Sequence, residues 1–323
     1  TRIAMLEEFR PKTLVEAIRY YSDPAVCLSF MVSLRWPNGV TCPTCDRADV
    51  TFVASRQVWQ CKGKHKKRQF SVKVGTIFED SPISLDKWLA AIWMIANAKN
   101  GISSYELHRG IGVTQKTAWF MLHRIRLAMQ DRDFRNMSGE VEVDETFIGG
   151  KARFMHPLDR AAKIQGRGGM GKAAVLGLLE RHGPDRHSMV RAKVVPNTKR
   201  VTLAPEVHLH VVGGSEVFTD DLPSYDALSN RYSHGVINHA ERYVDGKVHT
   251  NGIENFWSLL KRSLKGTYIS VEPWHLGRYL DEHVFRFNER GTDDGARFNK
   301  AAGSIVGRRL TYAELSGKSL VLA

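Results

Sequence analysis

The chain has only four cysteines among its 323 residues, too few for a disulfide framework at this size. No apolar run is long enough to span a bilayer and no secretory signal stands at the start, which argues against a membrane or exported protein. A reducing cytoplasm is therefore the expectation, with no membrane partner. Low-complexity tracts are also missing, and the length leaves ample material for two or three packed domains. Acid is the remaining shortage: 34 Asp and Glu stand against 47 Lys and Arg, a formal charge of +13. That balance makes a polyanion the expected partner. Nucleic acid is the natural one, because phosphate neutralisation supplies much of such binding energy. A basic surface on an enzyme of small acidic metabolites is the plain alternative.

The positive charge is spread through the chain as KGKHKKR, RGIGVTQKTAWFMLHRIR, GKARF, GRGGMGK and LLKRSLK, so it is not one disposable tail. Near the start, LVEAIRYY and AVCLSFMVSLRW read as two short helices, with Pro24 at the entry of the second and Pro37 stopping it. Cys27 falls in the apolar stripe of the second helix and is expected in the core. Cys42-Pro-Thr-Cys45 is different, because such a knuckle offers two thiolates to one tetrahedral metal. The second pair should follow about fifteen to twenty residues on. Cys61 and His65 arrive there, giving a Cys3His set with zinc-ribbon spacing and an irregular second knuckle. A redox role would want a strand-to-helix setting instead.

Beyond Gly75, SLDKWLAAIWMIANAKN predicts a helix over about 84–98. Then come a short helix from Ser103, a turn at Gly110 to Gly112 and a second helix from Thr114, the helix-turn-helix pattern. In that pattern Gln115, Lys116 and Thr117 would meet DNA, with Arg124 as a further contact, while Trp119, Leu122 and Ile125 pack inward. The same geometry also occurs as plain packing.

From about residue 138 the pattern alternates. GEVEVDETFIGG predicts a strand with Glu142 and Asp144 on one face and Glu145 on the other. An Asp inside a strand is costly unless paired or metal-bound, which singles out Asp144. GRGGMGK, Gly166 to Lys172, has phosphate-loop spacing, but Ala173 stands where Ser or Thr should and a strand follows instead of a helix. The segment reads as a basic loop, with Arg167 and Lys172 placed for a nucleic-acid backbone. AAVLGLLER and SMVRAKVVP are two further strands, TLAPEVHLHVV a helix, and SEVFTDDLPSYDAL a short strand ending in Thr219-Asp220-Asp221 before another helix, which either Asp could also cap. HTNGIENFWSLLKR sets Asn251, Glu254 and Lys261 on one edge of a helix whose apolar residues are Ile253, Phe256, Trp257 and Leu260. A surface helix with an ordinary Glu–Lys pair would show the same spacing.

Glu254 follows Asp220 by 34 residues, and Lys261 follows Glu254 by seven. Asp on the first strand, Asp after the fourth and Glu on a later helix is the order of the RNase H-like polynucleotidyl transferases. Two divalent ions held by hard oxygens would there serve an in-line phosphoryl transfer. VEVDETFIGGK, TDD with Tyr225, HTNGIENFWSLLKR with Gly266-Thr267-Tyr268, YLDEHVFRFNER, GRRLTY and the CPTC knuckle together resemble bacterial insertion-sequence transposases that join a zinc ribbon to a DDE-type domain. The resemblance spans nearly the whole chain. It implies cleavage at transposon ends, strand transfer into target DNA and binding to terminal inverted repeats. It further implies Mg2+ or Mn2+ at the catalytic site, Zn2+ in the ribbon, and a homo-oligomer working on DNA in a bacterial cytoplasm, at the nucleoid.

By position, the resemblance makes Asp144 and Asp220 the first two metal ligands, with Lys261 downstream. Members of the group carry Glu or Asn third, and both Glu254 and Asn251 are available; spacing and charge favour Glu254. The expected architecture is multidomain α+β: N-terminal helices over 1–37, a zinc ribbon over 38–80 and a helix-turn-helix region over 81–135. An RNase H-like α/β domain with a mixed central sheet follows over 136–292, then a C-terminal tail over 293–323 that either packs loosely or serves a partner chain. A DNA-binding regulator or domesticated transposase without catalysis is the alternative, as is a nuclease of the same fold.

Overall fold

The computed structural model describes residues 11–131, 135–150, 156–158, 171–182, 187–237 and 248–317. It divides into two compact units, residues 1–130 together with 292–323, and residues 131–291.

In the first unit, α1 (Leu14–Tyr20) starts on Thr13, whose side chain accepts from Glu16 N. Asp23 caps α2 (Pro24–Arg35) in the same way, and Cys27 lies fully buried on it, donating from Sγ to Tyr21 O. Three short antiparallel strands follow: β1 (Val50–Val53), β2 (Val58–Cys61) and β3 (Gln69–Phe70). Trp36, Trp59 and Phe70 pack on one another beside these strands, and Phe52 joins them on Trp59. α3 (Leu85–Asn97) is the central helix and buries Trp88, Leu89, Ile92, Trp93 and Ile95. α4 (Ser104–Ile111) opens with a capping box between Ser103 and Glu106 and closes on Gly112 at φ 63°, the left-handed turn that glycine takes without strain. α5 (Gln115–Met129) starts on Thr114.

The segment expected as a loose tail is instead part of this unit. Asp293 caps α6 (Asp294–Gly303), which buries Phe298, Ala301 and Ala302. Phe298 stacks on Phe30 and touches Tyr21 and Trp93. Helical spacing of those apolar residues behind an Asp cap is the physical reason.

The second unit is a five-stranded mixed sheet in the order β6-β5-β4-β7-β8, made of β4 (Glu140–Ile148), β5 (Ala173–Glu180), β6 (Met189–Val195), β7 (Glu216–Asp220) and β8 (Ser233–Ile237). β4, β5 and β6 form an antiparallel meander, whereas β7 and β8 run parallel to β4. β5 is apolar on both faces, as a strand covered twice must be. On one face, Val141, Val143, Leu176 and Leu178 pack on α7 (Arg200–His210) and on the turn around Tyr225 and Leu228. On the other, Val175 and Leu179 meet Ile253, Phe256, Trp257 and Leu260 of α8 (Asn251–Ser263) and Leu280, Val284 and Phe287 of α9 (Leu276–Asn288). This is an RNase H-like layering of helices on both faces of a mixed sheet. The helix expected after Asp220 is a 3-10 helix, Pro223–Asn230, opened by its proline.

Candidate active site

Strand alternation places Glu142 and Asp144 on the face of β4 covered by α8. Asp144 Oδ2 accepts from Trp257 Nε1 at 2.9 Å and its Oδ1 from Glu145 N at 2.8 Å. β7 pairs with β4 in parallel, Glu140 opposite Glu216 and Glu142 opposite Phe218. Continuing that register by two residues sets Asp220, the last residue of β7, beside Asp144. Burial pushes the Asp144 carboxyl up to about 6, and the charges of Asp220 and then Glu254 push the same way, against the Trp257 N–H. The register thus sets Asp144 and Asp220 side by side, and Glu254 on α8 is near enough for its charge to act on Asp144.

Glu254 is exposed and its Oε1 accepts from Thr250 Oγ1 at 3.0 Å. Asn251 is the first residue of α8 and is exposed, and Lys261 is half-buried two turns beyond Glu254. Glu145, on the opposite face of β4, accepts from Tyr225 Oη at 2.6 Å. Burial, then Asp220 and Asp144, hold its carboxyl up at about 7, so it is a fourth acid within the field of the cluster.

The sequence reading did not find the group that seats α8. Glu142 is 1% exposed; its Oε2 accepts from Ile253 N at 2.8 Å, at the amino end of the helix, and its Oε1 accepts from Arg181 Nε at 2.6 Å. Arg181 also donates to His249 O at 2.7 Å and to Glu140 Oε2 at 3.1 Å, and lies over the Phe218 ring. His249 is thus held within this network. The available signal was the charged pair Glu180-Arg181 directly after the uncharged run Ala173 to Leu179.

In the first unit, Cys42, Cys45, Cys61 and His65 bring their ligand atoms within 4.8 Å of one another. Cys45 and Cys61 Sγ are 3.6 Å apart, and Cys42 Sγ and His65 Nε2 are 3.4 Å apart. A tetrahedron with arms of about 2.3 Å to sulfur and 2.0–2.1 Å to nitrogen has edges of about 3.8 and 3.6 Å, so the donor set fits zinc. Gly63 donates to Cys61 Sγ at 3.2 Å.

The expected DNA contacts fare unequally. Lys116 is exposed, near the Tyr312 ring. Gln115 donates to Ser104 Oγ, tying α5 to α4, and Thr117 is engaged with Thr114 at the helix start. Leu122 and Ile125 are buried as expected, while Trp119 is half-buried on His123. Arg124 is a correction: it is 5% exposed, and its guanidinium donates to the carbonyls of Leu310, Ile77 and Glu79. A guanidinium so used braces the fold and is not open to a phosphate. Lys172 is exposed at the foot of β5, whereas Arg167 lies outside the described residues.

Residues 136–288 match the family described as the ISXO2-like transposase domain, and residues 22–65 match the transposase zinc-ribbon domain. A protein in transposable element ISH50 of Halobacterium salinarum is 29% identical over 248 residues, 73% of this chain and 81% of that protein. A transposase-like protein of Haemophilus influenzae is 38% identical over 96 residues, 29% of this chain and 77% of that protein.

Proposed function

The chain belongs to the transposases that carry a zinc ribbon and an ISXO2-like domain, and on that premise we propose that it binds terminal inverted repeats and catalyses metal-dependent cleavage and transfer of DNA strands. The observation that carries this reading is the acid cluster. In a chain of net charge +13, burial holds the Asp144 carboxyl up at about 6, and the charges of Asp220 and Glu254 add to the rise. Such repulsion is relieved by a divalent cation, and carboxylate oxygens are the donors that Mg2+ or Mn2+ takes. Asp144, Asp220 and Glu254 would hold the ions, which supply activation of the attacking hydroxyl and stabilisation of the leaving oxygen.

The remaining work falls to the chain itself. Glu142 and Arg181 keep α8 seated on the sheet, so that Glu254 stays opposite Asp144. Lys261 offers a cation for a phosphate beside the acids. Asn251, exposed at the first turn, takes the part of a neighbouring polar group, because a carboxylate holds a divalent cation better than a neutral amide. Cys42, Cys45, Cys61 and His65 would hold Zn2+ with every position filled by protein, a structural site. Lys64, Lys66 and Lys67 around it, together with Lys116 and Lys172, are exposed and supply phosphate contacts.

The test is a labelled transposon-end duplex, a target DNA and Mg2+ or Mn2+. The unaltered protein cleaves the end and joins its free 3′ hydroxyl to the target. Asp144→Asn and Asp220→Asn still bind the end but yield no product. Activity retained in either variant overturns the assignment, and cleavage without joining points to a nuclease.

A further inference from the structure

Asp144 on β4 stands directly opposite Gly177 on β5. Gly177 interrupts an otherwise apolar, fully covered strand, where glycine forfeits both packing and conformational entropy. A Cβ there would come within 2.4 Å of Trp257 Cζ2, 2.6 Å of Trp257 Cη2 and 2.8 Å of Ile253 Cδ1. The missing side chain thus makes a notch, and the indole of α8 fills it. Val175 and Leu179, on either side along the same face, keep their side chains and pack on the helix.

Seated in the notch, Trp257 is 3% exposed and its Nε1 donates to Asp144 Oδ2 at 2.9 Å. Glu145 N holds the other oxygen at 2.8 Å. A carboxylate oxygen has two lone pairs, so each can accept one such bond and still face a cation. Two donors on two oxygens leave the carboxylate plane little freedom to turn. We propose that Trp257 is a positioning residue for the metal site: its N–H fixes the orientation of the Asp144 carboxylate, and Gly177 exists to admit its ring. The proposal rests on the reading of Asp144 as a metal ligand. Groups that orient a ligand in this way typically carry ten- to a hundredfold in metal affinity.

Four full-length variants test it: Trp257→Phe, Gly177→Ala, Asp144→Asn, and a protein with 3-benzothienylalanine at position 257, which keeps the shape of the indole but has sulfur in place of the N–H. Mn2+ binding is measured by calorimetry without DNA, alongside the Mn2+ requirement of end cleavage, the affinity for end DNA and the melting temperature. Loss of the N–H is expected to weaken Mn2+ binding and raise the metal requirement about ten- to a hundredfold. DNA affinity stays unchanged, and the benzothienyl protein melts where the parent does. Gly177→Ala, which displaces the ring, gives a similar metal defect and adds little to Trp257→Phe. Parental Mn2+ binding in the benzothienyl protein overturns the inference while Asp144 keeps its role. Parental Mn2+ binding and cleavage in Asp144→Asn overturns the metal-site reading and the inference together.

Discussion

Asp144→Asn is expected to make the metal-free protein more stable while destroying its activity. The Asp144 carboxyl sits at about 6 in the fold, against about 3.9 in an unfolded chain. Its folded value is raised, so the native state holds the proton more tightly than the unfolded one. Below about pH 4 both states are protonated and Asp144 costs nothing. Stability then falls as pH rises towards 6, and the deficit is constant above that. About two pKa units at about 1.4 kcal/mol each give a deficit of about 3 kcal/mol at pH 8. In a unit of this size about 1 kcal/mol moves the melting temperature by 2–4 °C, so the asparagine variant gains about 6–12 °C at most. The assay is scanning calorimetry at pH 4 to 8 without added divalent ions. The gap between the two proteins should open with pH, and added Mn2+ should close it by raising the unaltered protein only. An asparagine variant that melts at or below the parent at pH 8 refutes the reasoning.

Three further expectations concern other parts of the chain. Gly63→Ala puts a Cβ within 3.2 Å of Cys61 Sγ and 3.3 Å of Cys45 Sγ, so metal analysis should find less zinc per chain than the unaltered protein retains. Arg181→Met removes the guanidinium from a carboxylate that is 1% exposed, and denaturant unfolding should show a loss of about 3–5 kcal/mol, as for a buried ion pair deprived of one partner. Lys116→Ala should weaken binding uniformly across DNA sequences and lower the salt slope by about 1, whereas Arg124→Ala should lower stability and leave that slope unchanged.

The features legible in the sequence were the local ones. Ile253, Phe256, Trp257 and Leu260 announced the buried stripe of α8, and all four are buried. Ser103 and the turn at Gly110 to Gly112 marked the ends of α4, where residues close in sequence supply the capping. Alternation in VEVDE put Glu142 and Asp144 on one face, where both are engaged by α8. Long-range partnerships were not legible. Nothing near Arg124 in the sequence reveals the carbonyls of Ile77, Glu79 and Leu310 that absorb it. The Tyr225 hydroxyl on Glu145 depends on packing across 80 residues. The need for Gly177 lies in the indole of Trp257, 80 residues further along the chain. The helix at Asp294–Gly303 did carry a signal, an Asp cap and apolar spacing, but it is short and weakly apolar, so a tail was the natural expectation.

The most direct measurement is the anomalous signal of Mn2+ in crystals of the protein bound to its transposon-end duplex. The account predicts manganese held by carboxylate oxygens of Asp144, Asp220 and Glu254, beside the phosphate to be cut. Manganese on other residues, with those three acids uncoordinated, would contradict it.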